Sequence, residues 1–228
     1  MIAIIDYGVG NLFSLEQSLK AIGQKAIITG EASALYKADH VILPGVGAFG
    51  DAARRLKESG LDRVIVDLSH NGRPILGICL GMQLLFETSL EFGTHKGLDL
   101  IPGVVRPISK VIPQGLKVPH IGWNSLVINR AHPLLKDVKQ GEFVYFVHSY
   151  YACTGSLRAD PERHAGEMAS NYRADSPDTV LAYTEYGAPL TAAVARGSVC
   201  GCQFHPEKSG DTGLRILKAF CEWDGVDL

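Results

Sequence analysis

No stretch of the chain approaches the roughly 18 consecutive apolar residues needed to cross a bilayer, so no membrane span is expected. Charge of one sign is lacking too. Lys and Arg number 22 against 24 Asp and Glu, a net charge of −2, which offers no electrostatic footprint for nucleic acid or anionic lipid. Met1 runs straight into Ile2-Ala3-Ile4-Ile5 without a basic segment or small-residue cleavage site. A signal peptide is therefore not expected, and a soluble, cytoplasmic protein is. Cysteine is sparse: five residues, at 79, 153, 200, 202 and 221, too odd and scattered a set for a disulfide framework. Cys200 and Cys202 have no second Cys or His pair at zinc spacing, so they read as small buried thiols on one face of a strand. No G-x-x-x-x-G-K-[ST] P-loop occurs, which leaves a P-loop nucleotide site unsupported. Internal repeats and linker-like tracts are missing as well. With 46% apolar and 20% charged residues, the 228-residue chain is expected to form a single globular domain over 1–228.

What is present begins with alternation of strand and helix. Ile2–Ile5 reads as a buried strand, followed by the turn Asp6–Asn11 and by Leu12, Leu15, Leu19 and Ile22 at helical spacing, with Gly23 as a stop. Ala26–Ile28, Val41–Leu43 and Pro74–Ile78 are further strands. Leu56–Leu68 is helical and broken at Gly60, and Leu84, Leu85 and Phe86 are assigned to the helix after the last of these strands. Short, fully apolar strands alternating with helices predict an α/β fold with a mostly parallel central sheet flanked by helices. Leu126–Ile128, Phe143–His148, Val180–Tyr186, Thr191–Arg196 and Val199–Phe204 have few helices between them and predict antiparallel additions to that sheet. Arg158–Pro177 is expected to be a polar surface excursion. A last helix over about Asp211–Glu222 would bury Leu214, Leu217 and Cys221.

Ligands of such sheets sit beyond the carboxyl ends of the parallel strands, and three segments there carry chemistry. Gly77-Ile78-Cys79-Leu80-Gly81 places a cysteine between glycines at a strand-to-helix turn, the pattern of a nucleophile elbow. The helix N-terminus behind it favours a thiolate. His205-Pro206-Glu207 follows another strand; its proline rigidifies the turn, and a histidine and carboxylate two apart suit a base and its orienting partner. Pro44-Gly45-Val46-Gly47 lets backbone N–H groups approach a ligand, and with the Leu80 N–H it offers an oxyanion hole. The remaining histidines, 120 and 148 among them, read as surface or satisfied core positions.

Taken in this order, Pro44–Gly47, Gly77-Ile78-Cys79-Leu80-Gly81-Met82-Gln83 and Gln203-Phe204-His205-Pro206-Glu207-Lys208-Ser209 resemble the class I, triad-type glutamine amidotransferases. The resemblance implies Cys79 as nucleophile, His205 as general acid and base, and Glu207 as orienting carboxylate. It also implies Gly45, Val46, Gly47 and Leu80 around the oxyanion, and glutamine contacts at Gln83, Glu91, Ser149 and Tyr150. Asp6–Asn11, Pro119–Asn124 and Tyr145–Tyr150 are further similar to the glutaminase subunits of imidazole glycerol phosphate synthases. Those subunits pass ammonia through a tunnel to a (β/α)8-barrel cyclase in histidine biosynthesis, so a heterodimer with such a cyclase is implied. Asn11, Trp123, Tyr145 and Lys208 match the surface facing it. No metal or organic cofactor is implied.

Other readings stay open at this point. A glutaminase subunit feeding another synthase, one making pyridoxal phosphate or anthranilate, is one. A thiol peptidase or Cys-elbow hydrolase is another, and a non-catalytic binding domain is a third. Gly45 also suggests a switch: turning the Gly45–Val46 peptide would aim the Val46 N–H at the oxyanion only when the partner is loaded.

Overall fold

Why the middle of the molecule is a parallel sheet follows from its strands, which are four residues long and apolar on both faces. A computed structural model of the chain describes residues 1–154 and 179–226. The principal sheet has the order β2-β1-β3-β4-β14-β13-β12-β9. Its parallel part comprises β1 (Ile2–Ile5), β2 (Ala26–Thr29), β3 (His40–Leu43), β4 (Ile75–Ile78) and β14 (Val199–Cys202). The antiparallel extension is β13 (Pro189–Arg196), β12 (Val180–Glu185) and β9 (Val127–Ile128).

Alternation along β1 divides the core. Ile2 and Ile4 point to one side, where they meet Leu15 and Leu19 of helix α1 (Leu12–Ala21) and Ile216, Leu217 and Phe220 of the last helix (Gly210–Glu222). Ala3 and Ile5 point to the other, against Leu56 of α3 (Phe49–Ser59) and Ile65 and Leu68 of α4 (Leu61–His70). A short α2 (Ala32–Leu35) joins that layer, and α5 (Leu80–Leu84) follows β4; the last helix is α6. Gly60 separates α3 from α4 in the left-handed conformation, φ 74°, as its position in the pattern required.

Two smaller sheets stand on this frame, and the sequence reading did not foresee them. β8 (His120–Ser125) and β10 (Phe143–His148) form a separate antiparallel ribbon. β10 therefore does not extend the principal sheet as expected. Its outward residues explain this, since Phe143 is 57% exposed and would have no place inside a two-sided sheet. β11 (Tyr150–Cys153), β7 (Ile101–Pro107), β5 (Phe86–Ser89) and β6 (His95–Lys96) form the other sheet. Phe86 thus starts a strand rather than ending a helix, because pairing opposite Ile101 buries it completely.

Three further expectations need correction. β14 is antiparallel to β13 as expected but parallel to β4, with Cys200 opposite Leu76, so it closes the parallel part of the sheet. The buried stripe of α6 runs through Gly213, Ile216, Leu217 and Phe220, one position away from the expected stripe, with only Leu217 in common. Leu126 precedes β9 and is buried outside any strand. The segment Arg158–Pro177 lies outside the described residues. Among the described residues, no helix is long and apolar enough to cross a membrane.

Candidate active site

β4 and α5 meet at Cys79 in a turn that only particular neighbours permit. Cys79 has φ 54° and ψ −111°, a conformation that L-residues avoid, and it is 8% exposed. A Cβ at Gly81 would stand 1.9 Å from the Leu43 carbonyl oxygen, and one at Gly77 would stand 2.7 Å from the Met82 backbone. Both glycines are thus required by the close approach of α5 to β3 and β4, which is the physical content of the G-x-C-x-G spacing. The Cys79 N–H donates to the Cys202 carbonyl at 2.8 Å, tying the elbow to β14.

β14 in turn delivers His205. Its Nδ1 lies 2.8 Å from Glu207 Oε1, with both side chains more than nine-tenths buried. The turn is held by the His205 N–H on the Tyr145 carbonyl at 2.9 Å and by Ser209 Oγ, which donates to the His205 carbonyl at 2.6 Å. Burial opposes a charge on His205, but hydrogen bonds with Cys79 and Glu207 and the charges of both override it and raise its pKa to about 10. The imidazole beside Cys79 therefore carries a proton it can deliver.

Because this pKa is raised above the unfolded value near 6.5, the stabilisation it brings is complete below that pH and is lost as pH climbs through about 10. Thermal unfolding followed from pH 6 to 10 is expected to show a falling midpoint. The fall should be shallower in Glu207→Gln, and an equal slope in both proteins would refute the assignment.

Pro44–Gly47 runs beside the elbow. A Cβ on Gly45 would lie 2.7 Å from the Gly81 N and 3.0 Å from Tyr7 Oη. Tyr7 donates to the Pro44 carbonyl at 2.8 Å; its own ionisation is pushed up by burial and then by Cys79. Gly47 adopts φ 92°. A cavity of about 400 Å³ opens here, lined by Val46, Gly47, Cys79, Leu80, Gln83, Glu91, Ser149, Tyr150, His205, Asn11 and Lys208 among others. It thus gathers most of the residues singled out in the sequence.

Their hydrogen bonds differ. The Gln83 amide donates to the Tyr150 carbonyl at 3.0 Å and to Gln203 Oε1 at 2.9 Å. Glu91 accepts the Phe49 N–H at 2.5 Å, capping α3 from another element. Trp123 and Tyr145 do not line the cavity. They sit on the outward face of the ribbon with rings 6.1 Å apart, and Lys208 Nζ lies 6.0 Å from the Tyr145 ring centre.

Sequence reasoning missed Gln203, which is fully buried and has its amide nitrogen 3.7 Å from Cys79 Sγ. It stands in the His-Pro-Glu motif, where its polarity at an otherwise apolar strand end was the available signal. Cys200 and Cys202 are buried on one face as expected, and burial keeps the Cys202 thiol protonated well above its ordinary range. Among the described residues no cluster of three or more His, Cys, Asp or Glu is arranged to hold a metal.

A cysteine on a strained elbow, backed by a buried histidine–carboxylate pair and an open loop of glycines, is the constellation of a thiol-dependent acyl-transfer site. The family model for class-I glutamine amidotransferases matches residues 3–222, and the chain belongs to that family. The chain is 46% identical over 222 residues to the imidazole glycerol phosphate synthase subunit HisH of Caldanaerobacter subterraneus subsp. tengcongensis, covering 97% of this chain and 98% of the relative. The HisH subunit of Wolinella succinogenes is 44% identical over 97% and 99% of the two chains. Within the family, then, this chain belongs with the HisH subunits. Among solved structures, a glutamine amidotransferase crystal structure superposes with a TM-score of 0.69 at 17% identity, covering 99% of this chain and 100% of that one. A chain of PurLQS from Thermotoga maritima gives 0.66 at 18%, covering 97% of each. At such identities the likeness is one of fold.

Proposed function

We propose that this chain, as one cytoplasmic domain, hydrolyses glutamine to glutamate and ammonia and hands the ammonia to a cyclase of (β/α)8-barrel type that makes imidazole glycerol phosphate for histidine synthesis. The observation that carries the reading is Cys79 on its strained elbow within the reach of the buried His205–Glu207 pair. Cys79 Sγ attacks the side-chain amide carbon, and the amide oxygen becomes an oxyanion received by the N–H groups of Leu80 and Val46. His205 gives its proton to the nitrogen as the C–N bond breaks, so ammonia leaves and a glutamyl thioester remains. A water then loses a proton to His205 and attacks the thioester, which frees glutamate and restores Cys79. Glu207 keeps the imidazole oriented throughout. Glu91 offers a carboxylate to the substrate's ammonium group, and Gln83, Ser149 and Tyr150 supply the wall around it. Turning the Gly45–Val46 peptide toward the oxyanion links turnover to the partner.

Relatives 44–46% identical and named as HisH favour this acceptor over pyridoxal phosphate or anthranilate synthases. The outward ribbon face, with Ile121 at 59%, Trp123 at 55% and Phe143 at 57% exposure, supports a docking surface that also takes in Tyr145, Lys208 and Asn11. Glutamate release from glutamine, measured for the chain alone and with the cyclase subunit and its nucleotide substrate, tests the reading. Strong stimulation by the pair supports it; hydrolysis that ignores the cyclase would move the ammonia to another acceptor. Trp123→Ala is expected to weaken association with the cyclase about 30-fold, the effect of truncating an aromatic anchor worth about 2 kcal/mol. Calorimetric titration measures it, and an unchanged Kd would remove Trp123 from the interface.

A further inference from the structure

Two buried histidines outside the triad form a directional chain of hydrogen bonds that ends at the glutamine cavity. His148 Nδ1 lies 2.8 Å from the Tyr150 carbonyl, which can only accept, so His148 carries its proton on Nδ1. Its Nε2 then accepts, and His120 Nδ1 stands 3.0 Å away to donate. His120 Nε2 is left as the acceptor for Asn124 Nδ2 at 3.3 Å. The orientation of that amide is fixed independently: Asn124 Nδ2 also donates to the Glu185 carbonyl at 2.9 Å, and Asn124 Oδ1 accepts the Ser125 N–H at 2.8 Å. Every ring nitrogen of the pair has one role.

The surroundings hold both rings in place and neutral. His120 is stacked between Phe146, at 4.9 Å, and Tyr186, at 4.1 Å, with interplanar angles of 22° and 23°. Burial lowers His120 to about 4 and His148 to about 3. The chain lies where the backbone leaves one sheet and enters another, for β10 ends at His148 and β11 begins at Tyr150. Ser149 and Tyr150, at this corner, form a wall of the cavity. Tyr150 offers its carbonyl to Gln83 as well as to His148. On the opposite face of the same ribbon stand Ile121 and Trp123.

We propose that His148 and His120 are positioning residues that fix the Ser149–Tyr150 wall of the glutamine cavity to the β8–β10 ribbon through a relay of locked Nδ1–H tautomers. The proposal rests on the glutaminase reading above. His148 also lines the cavity, but neither histidine is given a step of the reaction. The pair sets the shape in which glutamine is bound, and it connects that shape to the strand that carries the exposed apolar face.

Substitutions that keep or remove one end of the relay test it in the complex with the cyclase. Asparagine at 148 places an amide where Nδ1 stands and keeps a donor for Tyr150; glutamine reaches the Nε2 place and loses that donor. His148→Gln is expected to raise KM for glutamine about tenfold with a much smaller change in kcat, whereas His148→Asn restores most of the difference. Equal KM in His148→Gln and wild type, or the same fall in kcat for both variants, would overturn the assignment. Nitrogen-15 NMR of the wild-type imidazoles gives a second readout that needs no variant to fold. Both rings should be neutral Nδ1–H tautomers from pH 6 to 8, and an Nε2–H tautomer at either position would refute the relay. A wild-type complex without glutaminase activity would sink the functional reading alone, since the tautomers report on the pair by themselves.

Discussion

A Gly81→Ala variant is expected to lose both stability and glutaminase activity, although it adds a single methyl group. The new Cβ would stand 1.9 Å from the Leu43 carbonyl oxygen, 2.8 Å from its carbon and 3.2 Å from the Pro44 carbon. These are backbone atoms at the end of β3, so no side-chain rotation relieves the contact. Either α5 lifts away from the sheet or the Pro44–Gly47 loop is displaced. Overpacking of this kind costs about 3 kcal/mol, and either movement separates Cys79 from the groups that are to receive the oxyanion. Loss of one such donor alone lowers the rate about 10²–10³-fold. Chemical denaturation and glutamate release from the same preparation measure the two effects. A variant with wild-type stability and turnover would show that the elbow is looser than its geometry implies.

Cys79→Gly is expected to give the opposite signs: activity lost and stability gained. Without its thiol the site has no nucleophile, and turnover should fall by on the order of 10⁴-fold or more, to the background of the assay. Yet Cys79 holds φ 54° and ψ −111°, where a side chain costs of order 1–3 kcal/mol and glycine almost nothing. Against this stand the lost burial of a small side chain and the Sγ contacts with Gln203 at 3.7 Å and with the Val147 carbonyl at 3.9 Å. A net gain of about 1 kcal/mol remains, visible as a higher thermal midpoint. Cys79→Ala, which keeps the strain, is the control and should be inactive without that gain. A Cys79→Gly protein less stable than Cys79→Ala would place the strain elsewhere.

The elbow shows what was legible in the chain itself. Gly77, Cys79 and Gly81 are spaced as a strand-to-helix turn demands; the contacts that exclude a Cβ at Gly77 are local to that turn, whereas those at Gly81 come from Leu43 and Pro44 of the neighbouring strand end. His205-Pro206-Glu207 was equally readable, because proline and a two-residue separation suffice to bring imidazole and carboxylate together. The parallel half of the principal sheet followed from period and length, with Ile2 and Ile4 on one side and Ala3 and Ile5 on the other.

The second half was harder for a physical reason. A strand records in its sequence which of its faces is buried, but not which strand it pairs with. β10 alternates cleanly, yet only the folded chain decides that β8 is its neighbour and that His148 falls opposite His120. The same holds for the direction of β14 beside β4, and for Phe86, whose apolar neighbours fit a helix until Ile101 arrives from a distant part of the chain. Sequence by itself thus determined the turn that presents Cys79 and the turn that pairs His205 with Glu207. Only the tertiary structure decided the wall of the cavity, with Glu91 capping α3, Gln83 tied to Tyr150 and two histidines joined across a ribbon, because each of those contacts spans residues the chain separates.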